Sequence, residues 1–384
     1  MAEATPPPDR FPPVFSKIDA DQRARAMAPE RRESASARGL AELIGIARLG
    51  SPGGNAGLAG LLVLLVGVNA VLLPGQFATF GTLQSMMFQL PELGMLALAM
   101  VIALISGGLN LAIIATANQC ALVMAYILKA LAPSAASGSV VVLAIVAALA
   151  AGLLLALAIG LITGFLVANM GVHPILVTLG TMSVVNGISI YLTRGTVIAG
   201  VPEPFLVIGN GVLLGIPIPF LILAATAMLV AFVLNRTPFG IAVFMIGSNL
   251  EAARYAAIDT KRVLVGVYTM SSVLCFLAAC LMLARFNSAS AGYAESYLLV
   301  TILAAVLGGV DPFGGFGRIS GLMLALVVLQ VISSSFNLYG LSQHLTLAIW
   351  GLTLIGVMGF KAAAAPIARL LFFAKSAPPR KDAP

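Results

Sequence analysis

Long apolar runs fill the chain between Gly57 and Phe360. A helix needs about 20 predominantly apolar residues to cross the hydrocarbon core of a bilayer. Ten runs reach or approach that length, and they lie at residues 57–74, 84–106, 109–131, 139–169, 174–193, 218–235, 262–284, 295–310, 319–337 and 344–361. Gly, Pro and polar residues interrupt or border the fifth and eighth runs, as is typical of half-spans and re-entrant helices. The pattern predicts an all-α polytopic membrane protein with about ten transmembrane helices, some of them broken or re-entrant.

The two ends of the chain lack such runs. Residues 1–50 are rich in Pro and then in charged residues and Ser, without the apolar core of a secretory signal peptide. This composition predicts a disordered cytoplasmic tail, although residues 38–48 could form a short interfacial helix. We therefore expect an N-terminal tail over 1–50, a transmembrane domain over 51–361 and a second cytoplasmic tail over 362–384.

Composition supports the membrane assignment. Hydrophobic residues make up 60% of the chain and charged residues only 9%, whereas soluble domains carry about 25% charged residues. The net charge of +7 comes from lysines and arginines that flank the apolar runs, so it indicates orientation in a membrane rather than nucleic-acid binding. With a cytoplasmic N-terminus and ten spans, only Lys129, Arg194 and Arg285 of the 21 lysines and arginines fall outside. This predicts a multi-pass membrane protein with both termini in the cytoplasm.

The sequence offers little for an enzyme active site. It has two histidines and no HExxH, Walker A, GxSxG or CxxC pattern. Its cysteines, Cys120, Cys275 and Cys280, lie in apolar runs without metal-ligand spacing and are interpreted as small core residues. We expect no catalytic residue, no metal and no cofactor bound by this chain.

Ionisable residues are almost absent from the interiors of the runs. Glu92 falls near the outer start of the second run, and Arg285 falls at the outer end of the seventh. Carriers coupled to protons or sodium usually place ionisable groups within the bilayer, where the energetic cost marks a function. Transport by this chain is therefore expected to be driven from outside the chain, although a sodium site built from backbone carbonyls stays open.

Neutral polar residues in the third and fifth runs are the candidates for contact with a solute. They are Asn110, Asn118, Gln119, Thr178, Thr181 and Asn186. Such groups offer hydrogen bonds to an uncharged, hydroxylated solute without trapping it by charge. The alternative is that they bridge neighbouring helices and serve packing alone.

A polar segment at residues 239–262 separates two apolar runs. Within it, Asn249 suits a helix N-cap, and Glu251 in the first turn suits the helix dipole. Glu251 and Arg254 are three residues apart, so they can pair across one helix face. The orientation given above places the segment in the cytoplasm, where it either contacts a soluble partner or rests on the membrane surface.

Two Gly-containing patterns predict close packing of the backbone. Gly160 and Gly164 have the small-xxx-small spacing that lets two helices approach closely. The Gly-rich stretch 307–321 predicts a tight loop between two spans. In that loop Asp311 precedes Pro312, which suits a capped turn; a mobile gate or a subunit contact is the alternative.

Five blocks of sequence form an ordered pattern along the chain. They are GGLNL (107–111), GLITGFLVANMGVHPILVTLGTMSVVNGISIYLT (160–193), TPFGIAVFMIGSNLEAARYAAI (237–258), LAAVLGGVDPFGGFGRISG (303–321) and SSFNLYGLSQHLTLAIWGLTLI (334–355). This pattern resembles the ribose-type permease subunits of bacterial ATP-binding-cassette (ABC) importers, and the resemblance covers about residues 57–360. It implies a ten-helix permease that carries a neutral sugar or polyol.

The resemblance also implies a set of partners. Two permease subunits, identical or paralogous, would pair in the lipid membrane, and a periplasmic binding protein would deliver the solute. Two cytoplasmic ATPase subunits would dock beneath and would hold the ATP and Mg. The coupling helix, which fits the ATPase cleft, would include Gly247, Asn249, Glu251, Ala252, Ala253 and Arg254.

The sequence departs from the family pattern in two places. Asn110 and Ala112 stand where the family usually has Asp followed by Ser, which could change the solute or the gating. Ala257 stands where Gly is usual, which could stiffen the end of the coupling helix. The alternative functions are a nucleoside or branched-chain amino-acid permease of an ABC importer and an ion-coupled secondary carrier.

Overall fold

The computed structural model of the protein describes residues 54–132, 138–342 and 344–355, and these residues are mostly helical. The helices are α1 (Gly54–Leu72), α2 (Phe80–Ile105), α3 (Ile113–Leu131), α4 (Gly138–Asn169), α5 (Pro174–Thr193), α6 (Glu203–Asn210), α7 (Ile218–Arg236), α8 (Pro238–Ser248), α9 (Leu250–Tyr255), α10 (Thr260–Phe286), α11 (Tyr297–Leu307), α12 (Ile319–Leu338) and α13 (His344–Ile355). Four two-residue strands are β1 (Ile198–Ala199), β2 (Val212–Leu213), β3 (Ile216–Pro217) and β4 (Ser288–Ala289). The predicted tails at 1–50 and 362–384 lie outside the described residues.

Eight of the described helices are long and apolar enough to cross a membrane: α1 to α5, α7, α10 and α12. This confirms the all-α polytopic fold. The eighth predicted span is the 11-residue helix α11, and the tenth is described only over α13. The expectation of an interrupted fifth span is wrong, because α5 runs for 20 residues without a break. Pro174 is its first residue, where proline starts a helix rather than breaking it.

Helices α2 and α10 form the centre of the packing. Every residue of α2 from Leu90 to Ile105 is buried, and α10 packs against α2, α3 and α4. By contrast, α4 and α5 expose large apolar side chains such as Leu154 and Leu176. A helix that is apolar on its exposed face suits contact with lipid.

Close backbone approach joins α4 to α10. A Cβ atom added at Gly160 would lie 2.7 Å from the Cα of Thr269, and one added at Gly164 would lie 2.8 Å from the Cα of Val265. Both distances are far below van der Waals contact, so only glycine fits. The predicted packing role of this glycine pair is confirmed.

Contacts between chain segments distinguish the two ends of the helices. At one end, Gly107 after α2, Gly247 in α8 and Gly314 before α12 approach each other closely. Away from this end, β1 after α5 pairs with β4 after α10. The side chains of Glu251 and Arg254 are exposed beside the first group. We call the end marked by the three glycines the Gly247 end.

The chain re-enters the helical core after α10. Residues 290–296 form turns rather than a helix, and α11 begins only at Tyr297. Asn118 of α3 donates hydrogen bonds to the carbonyl oxygens of Ala291 (2.7 Å) and Tyr293 (2.8 Å). The prediction of a broken or re-entrant element in this region is therefore confirmed.

The α4–α10 contact gives a first testable prediction. The change Gly160→Ala should lower the free energy of unfolding by about 1–3 kcal/mol, because the added methyl group meets backbone atoms that have no room to move. The midpoint of thermal unfolding of the purified protein in detergent measures this effect. Gly180→Ala is the matched control, since no atom lies within 4 Å of a Cβ at that helical position. Equal loss in both variants would contradict the packing argument.

Candidate functional site

The polar segment folds as two short helices that meet at Asn249. The hydroxyl of Thr237 caps α8 by accepting from the backbone N–H of Gly240, and α8 ends at Ser248. The side chain of Asn249 then caps α9 by accepting from the N–H of Ala252 at 3.0 Å. The N-cap predicted from the sequence is confirmed.

Gly247 fixes these helices to the rest of the protein. A Cβ atom at this position would overlap the carbonyl oxygen of Ile105, the last residue of α2. The same carbonyl accepts a hydrogen bond of 2.9 Å from the N–H of Gly315. Three segments therefore meet backbone to backbone at one point, and only a glycine at 247 allows it.

The outer face of α9 carries the charged pair that the sequence predicted. Arg254 and Glu251 form an ion pair of 2.7 Å, with 53% and 66% of their side chains exposed. Exposed pairs of this kind add at most about 1 kcal/mol to stability, so both charges are available to a partner. Ala252 is exposed on the same short helix, whereas Ala253 is buried beneath it. The face is small, charged and open.

The end of α9 carries strain at Ala257. Its φ angle is +58°, in the left-handed region. The N–H of Ile258 bonds to the carbonyl of Ala253 at 3.1 Å, and that of Ala257 bonds to Arg254 at 3.0 Å, which is the Schellman pattern of helix ends. The left-handed conformation costs a residue with a Cβ roughly 1–2 kcal/mol. The alanine therefore holds, at a cost, a turn that glycine would adopt freely.

The Gly-rich loop before α12 contacts the end of α8, since a Cβ atom added at Gly315 would lie 2.8 Å from the Cα of Ser248. Asp311 accepts a hydrogen bond from the N–H of Phe313 at 2.9 Å and donates its own N–H to the carbonyl of Phe316 at 2.9 Å. The capped turn predicted at Asp311 is confirmed. Phe313 and Phe316 remain 86% and 67% exposed, so the turn presents two aromatic rings at the surface.

Asn110 lies at the break between α2 and α3. Its side-chain amide donates to the hydroxyl of Ser271 at 2.9 Å, and that hydroxyl donates to the carbonyl of Ala99 at 2.8 Å. Its amide oxygen accepts from the N–H of Ala112 at 3.1 Å. Asn110 thus ties α2, α10 and the start of α3 together.

The other candidate path residues lie around the α3–α5 contact. Gln119 accepts a hydrogen bond from the Ser189 hydroxyl, and Thr178 donates to the carbonyl of Leu109 at 3.0 Å. Thr181 is partly exposed and accepts from Thr163 at 3.4 Å. These hydrogen bonds, like those of Asn118, join neighbouring segments of the protein, as the packing interpretation predicts.

Asn186 differs from the other candidates. Its amide oxygen is buried and has no hydrogen-bond partner among the described residues. Contact of any of the six candidates with a solute stays a prediction.

Sequence reasoning missed an ion pair inside the membrane region. Glu92 is the thirteenth of 26 residues in α2 and is 1% exposed, so its placement near the outer start of the span is wrong. It pairs with Arg285 at 3.0 Å, and Arg285 also donates to the carbonyl of Phe88 at 3.0 Å. The only sequence signal was one acid and one base in two apolar runs, and nothing in the sequence indicated that the runs are neighbours.

Comparison with known proteins identifies the family of this chain. The family model described as "Branched-chain amino acid transport system / permease component" matches residues 82–358. The chain belongs to this permease family. The match covers more than half of the chain and includes α9, Asn110, Asn118 and the Gly-rich loop. It confirms the resemblance to importer permeases, and the permease is therefore a membrane subunit of a transport system.

Individual relatives agree with the family. The permease is 30% identical over 311 residues to the "Autoinducer 2 import system permease protein LsrD" of Yersinia enterocolitica serotype O:8, with 78% of this chain and 89% of the relative covered. The protein of the same name from Yersinia pseudotuberculosis serotype O:3 is 31% identical over 272 residues, covering 69% and 78%. That from Yersinia pestis strain Pestoides F is 30% identical over the same length. No solved structure matches the permease significantly.

The buried ion pair generates a second prediction. Glu92→Gln should lower the free energy of unfolding by about 2 kcal/mol, below the 3–5 kcal/mol of a fully buried pair because the Arg285 side chain is 24% exposed. Adding Arg285→Met should recover most of the loss, since the unpaired charge is then gone. Thermal unfolding of both variants tests this. A Glu92→Gln protein with wild-type stability but no uptake would show that the carboxylate serves transport instead.

The bonds of Asn110 generate a third prediction. Asn110→Asp should destabilise the permease by about 1–3 kcal/mol, because the carboxylate has no hydrogen to donate and Ser271 already gives its single hydrogen to Ala99. Asn235→Asp is the control: it removes an exposed hydrogen bond to the carbonyl of Ala231 at the end of α7, so it should cost less stability than the buried change. Equal unfolding midpoints for wild type and Asn110→Asp would refute this account of why asparagine stands there.

Proposed function

We propose that the permease is the transmembrane subunit of an ABC importer that moves a neutral sugar or polyol of the ribose class across the bacterial inner membrane. The names of its relatives support an importer, and those relatives import autoinducer 2. ATP and Mg would be held by separate ATPase subunits. A periplasmic binding protein and a second permease, either a copy or a paralogue, would complete the complex.

The exposed face of α9 is the observation that carries this proposal. It presents the Glu251–Arg254 pair on a helix of only six residues, and Gly247 anchors that helix on the end of α2. Most lysines and arginines flank the predicted spans on the same side as α9, and this excess supports a cytoplasmic position for the helix. A short, charged helix fixed to the transmembrane core is what docking of a soluble ATPase requires. Phe313 and Phe316 extend the same surface with apolar area.

The backbone contact at Gly247 supports a mechanical role for α9. When the ATPases close on ATP, α9 would move, and the contact of Gly247 with Ile105 would pass that movement directly to α2. Gly315 bonds to the same carbonyl, so the loop between α11 and α12 would move with it. Since α2 is the central helix of the protomer, its displacement would reorient the path between the two permease subunits.

Uncharged polar groups support a neutral solute over an amino acid. The six candidate path residues, Asn110, Asn118, Gln119, Thr178, Thr181 and Asn186, are all amides or hydroxyls. A zwitterionic amino acid would need partners of both signs, whereas hydroxyl groups are satisfied by neutral donors and acceptors. The description of the family mentions branched-chain amino acids, so labelled leucine belongs in the same uptake measurements as labelled ribose.

Charge reversal on α9 tests the proposed function. Arg254→Glu should reduce ATP-driven ribose uptake at least about tenfold, because it places like charges together on the docking face and weakens contact with the ATPase. The permease itself should stay in the membrane at wild-type levels. Arg262→Glu is a matched control, since Arg262 forms a similar exposed pair with Asp259 (2.9 Å) outside α9. It should transport normally.

Two results would contradict the proposal. Normal uptake by the Arg254→Glu permease would remove α9 from coupling. Recovery of the permease without an ATPase, with uptake driven by an ion gradient after reconstitution, would indicate a secondary carrier.

A further inference from the structure

The length of α11 fixes how deep its first residue lies in the membrane. Its last residue, Leu307, leads into the loop that contacts Gly107 and Gly247, so this end lies at the Gly247 end of the helices. Eleven helical residues rise about 16 Å, which is about half of the 30 Å hydrocarbon core. Tyr297, at the start of α11, therefore lies no further than about the middle of the membrane.

Asn118 gives an independent measure of the same depth. It bonds to the carbonyl of Tyr293 from the second turn of α3. Thirteen more residues of α3 follow it away from the Gly247 end, which is about 20 Å of helix. The re-entrant segment before α11 is thus held well inside the bilayer, and non-helical backbone at that depth occurs only where it is buried in protein or lines water.

Glu295 lies in this segment, two residues before α11. Its side chain is exposed, and among the described residues its carboxylate has no ion pair or hydrogen bond. A Cβ atom at Gly292 would lie 3.7 Å from its Oε1, so the carboxylate stands over a glycine with open space around it. The preceding Ala294 has a φ of +57°, and such strained residues persist where the surroundings hold them for a function.

An exposed carboxylate at this depth cannot face lipid. Charged side chains within the hydrocarbon region face a water-filled cavity or a partner of opposite charge. Glu92, the other acid in this region, has Arg285 as such a partner, whereas Glu295 has none in the described protomer. Water is therefore the surrounding that explains its position.

We propose that Glu295 lines the aqueous translocation path and binds hydroxyl groups of the passing solute. A carboxylate accepts several hydrogen bonds at once, and charge-assisted bonds to hydroxyls are short and strong. The solute class is therefore a neutral polyhydroxylated molecule, in agreement with the proposed function on which this class rests. The position in water does not depend on ATP or on the identity of the solute.

Labelling of a cysteine tests the position. Cys120, Cys275 and Cys280 are buried and free, so the native protein provides an unreactive background. Glu295→Cys should react with a membrane-impermeant charged methanethiosulfonate at least about tenfold faster than Leu154→Cys, because a thiol must be hydrated to ionise and attack. Leu154 is 67% exposed near the middle of α4, so it controls for exposure to lipid.

Protection by solutes tests the chemistry. D-ribose or xylitol should slow the labelling of Glu295→Cys, and leucine should not. In the uptake assay, Glu295→Gln should raise the KM for ribose about tenfold with a smaller change in kcat, since one charge-assisted hydrogen bond is lost. Glu295→Asp should retain part of the affinity.

Three results would overturn the inference. Labelling no faster than that of Leu154→Cys would place Glu295 against lipid or against a second permease. Fast labelling that no solute slows would place it in water but outside the solute path. Fast labelling that only leucine slows would indicate an amino acid as the solute instead of a polyhydroxylated molecule. Labelling needs no ATPase. Each of these results can therefore be interpreted even if the proposed function is wrong.

Discussion

Every backbone N–H and carbonyl inside the bilayer needs a hydrogen-bond partner, and the rest of the permease depends on how its non-helical segments meet that need. Two segments break the helical pattern, between α2 and α3 and between α10 and α11. At the first, Asn110 accepts from the buried N–H of Ala112, and at the second Asn118 donates to the carbonyls of Ala291 and Tyr293. The neutral amides that look suited to a solute are therefore also what allows the chain to leave the helix at membrane depth.

Backbone contact also explains how the short helix α9 could act on the membrane core. At Gly247, α8 touches the last carbonyl of α2 with no side chain between them. Side chains can absorb a displacement by changing rotamer, whereas packed backbones move together. The strained Ala257 at the far end of α9 and the capped turn at Asp311 hold the neighbouring segments in fixed shapes. The proposed docking surface is in this way a rigid extension of α2.

The sequence predicted those features that depend on neighbours along the chain. Hydropathy located the spans, and spacing gave the Asn249 cap and the Glu251–Arg254 pair, because each rests on residues within one or two helical turns. The pair of Glu92 and Arg285 joins residues 193 positions apart, and no local pattern indicates which spans are neighbours. The sequence also did not indicate that α11 is too short to cross the membrane, because the apolar run at 295–310 does not show where the helix begins.

The buried charges bear on the energy source of transport. Sequence reasoning placed the driving force outside the chain because the spans contain so few ionisable groups, yet the structure holds two acids at membrane depth. Glu92 is 1% exposed and neutralised by Arg285, so it has neither the access to water nor the free charge that a proton relay needs. Glu295 is open but stands alone, and relays pass protons between several groups. Neither acid supplies a chain of proton acceptors across the membrane. The argument that an external ATPase drives transport therefore holds even with both acids at membrane depth.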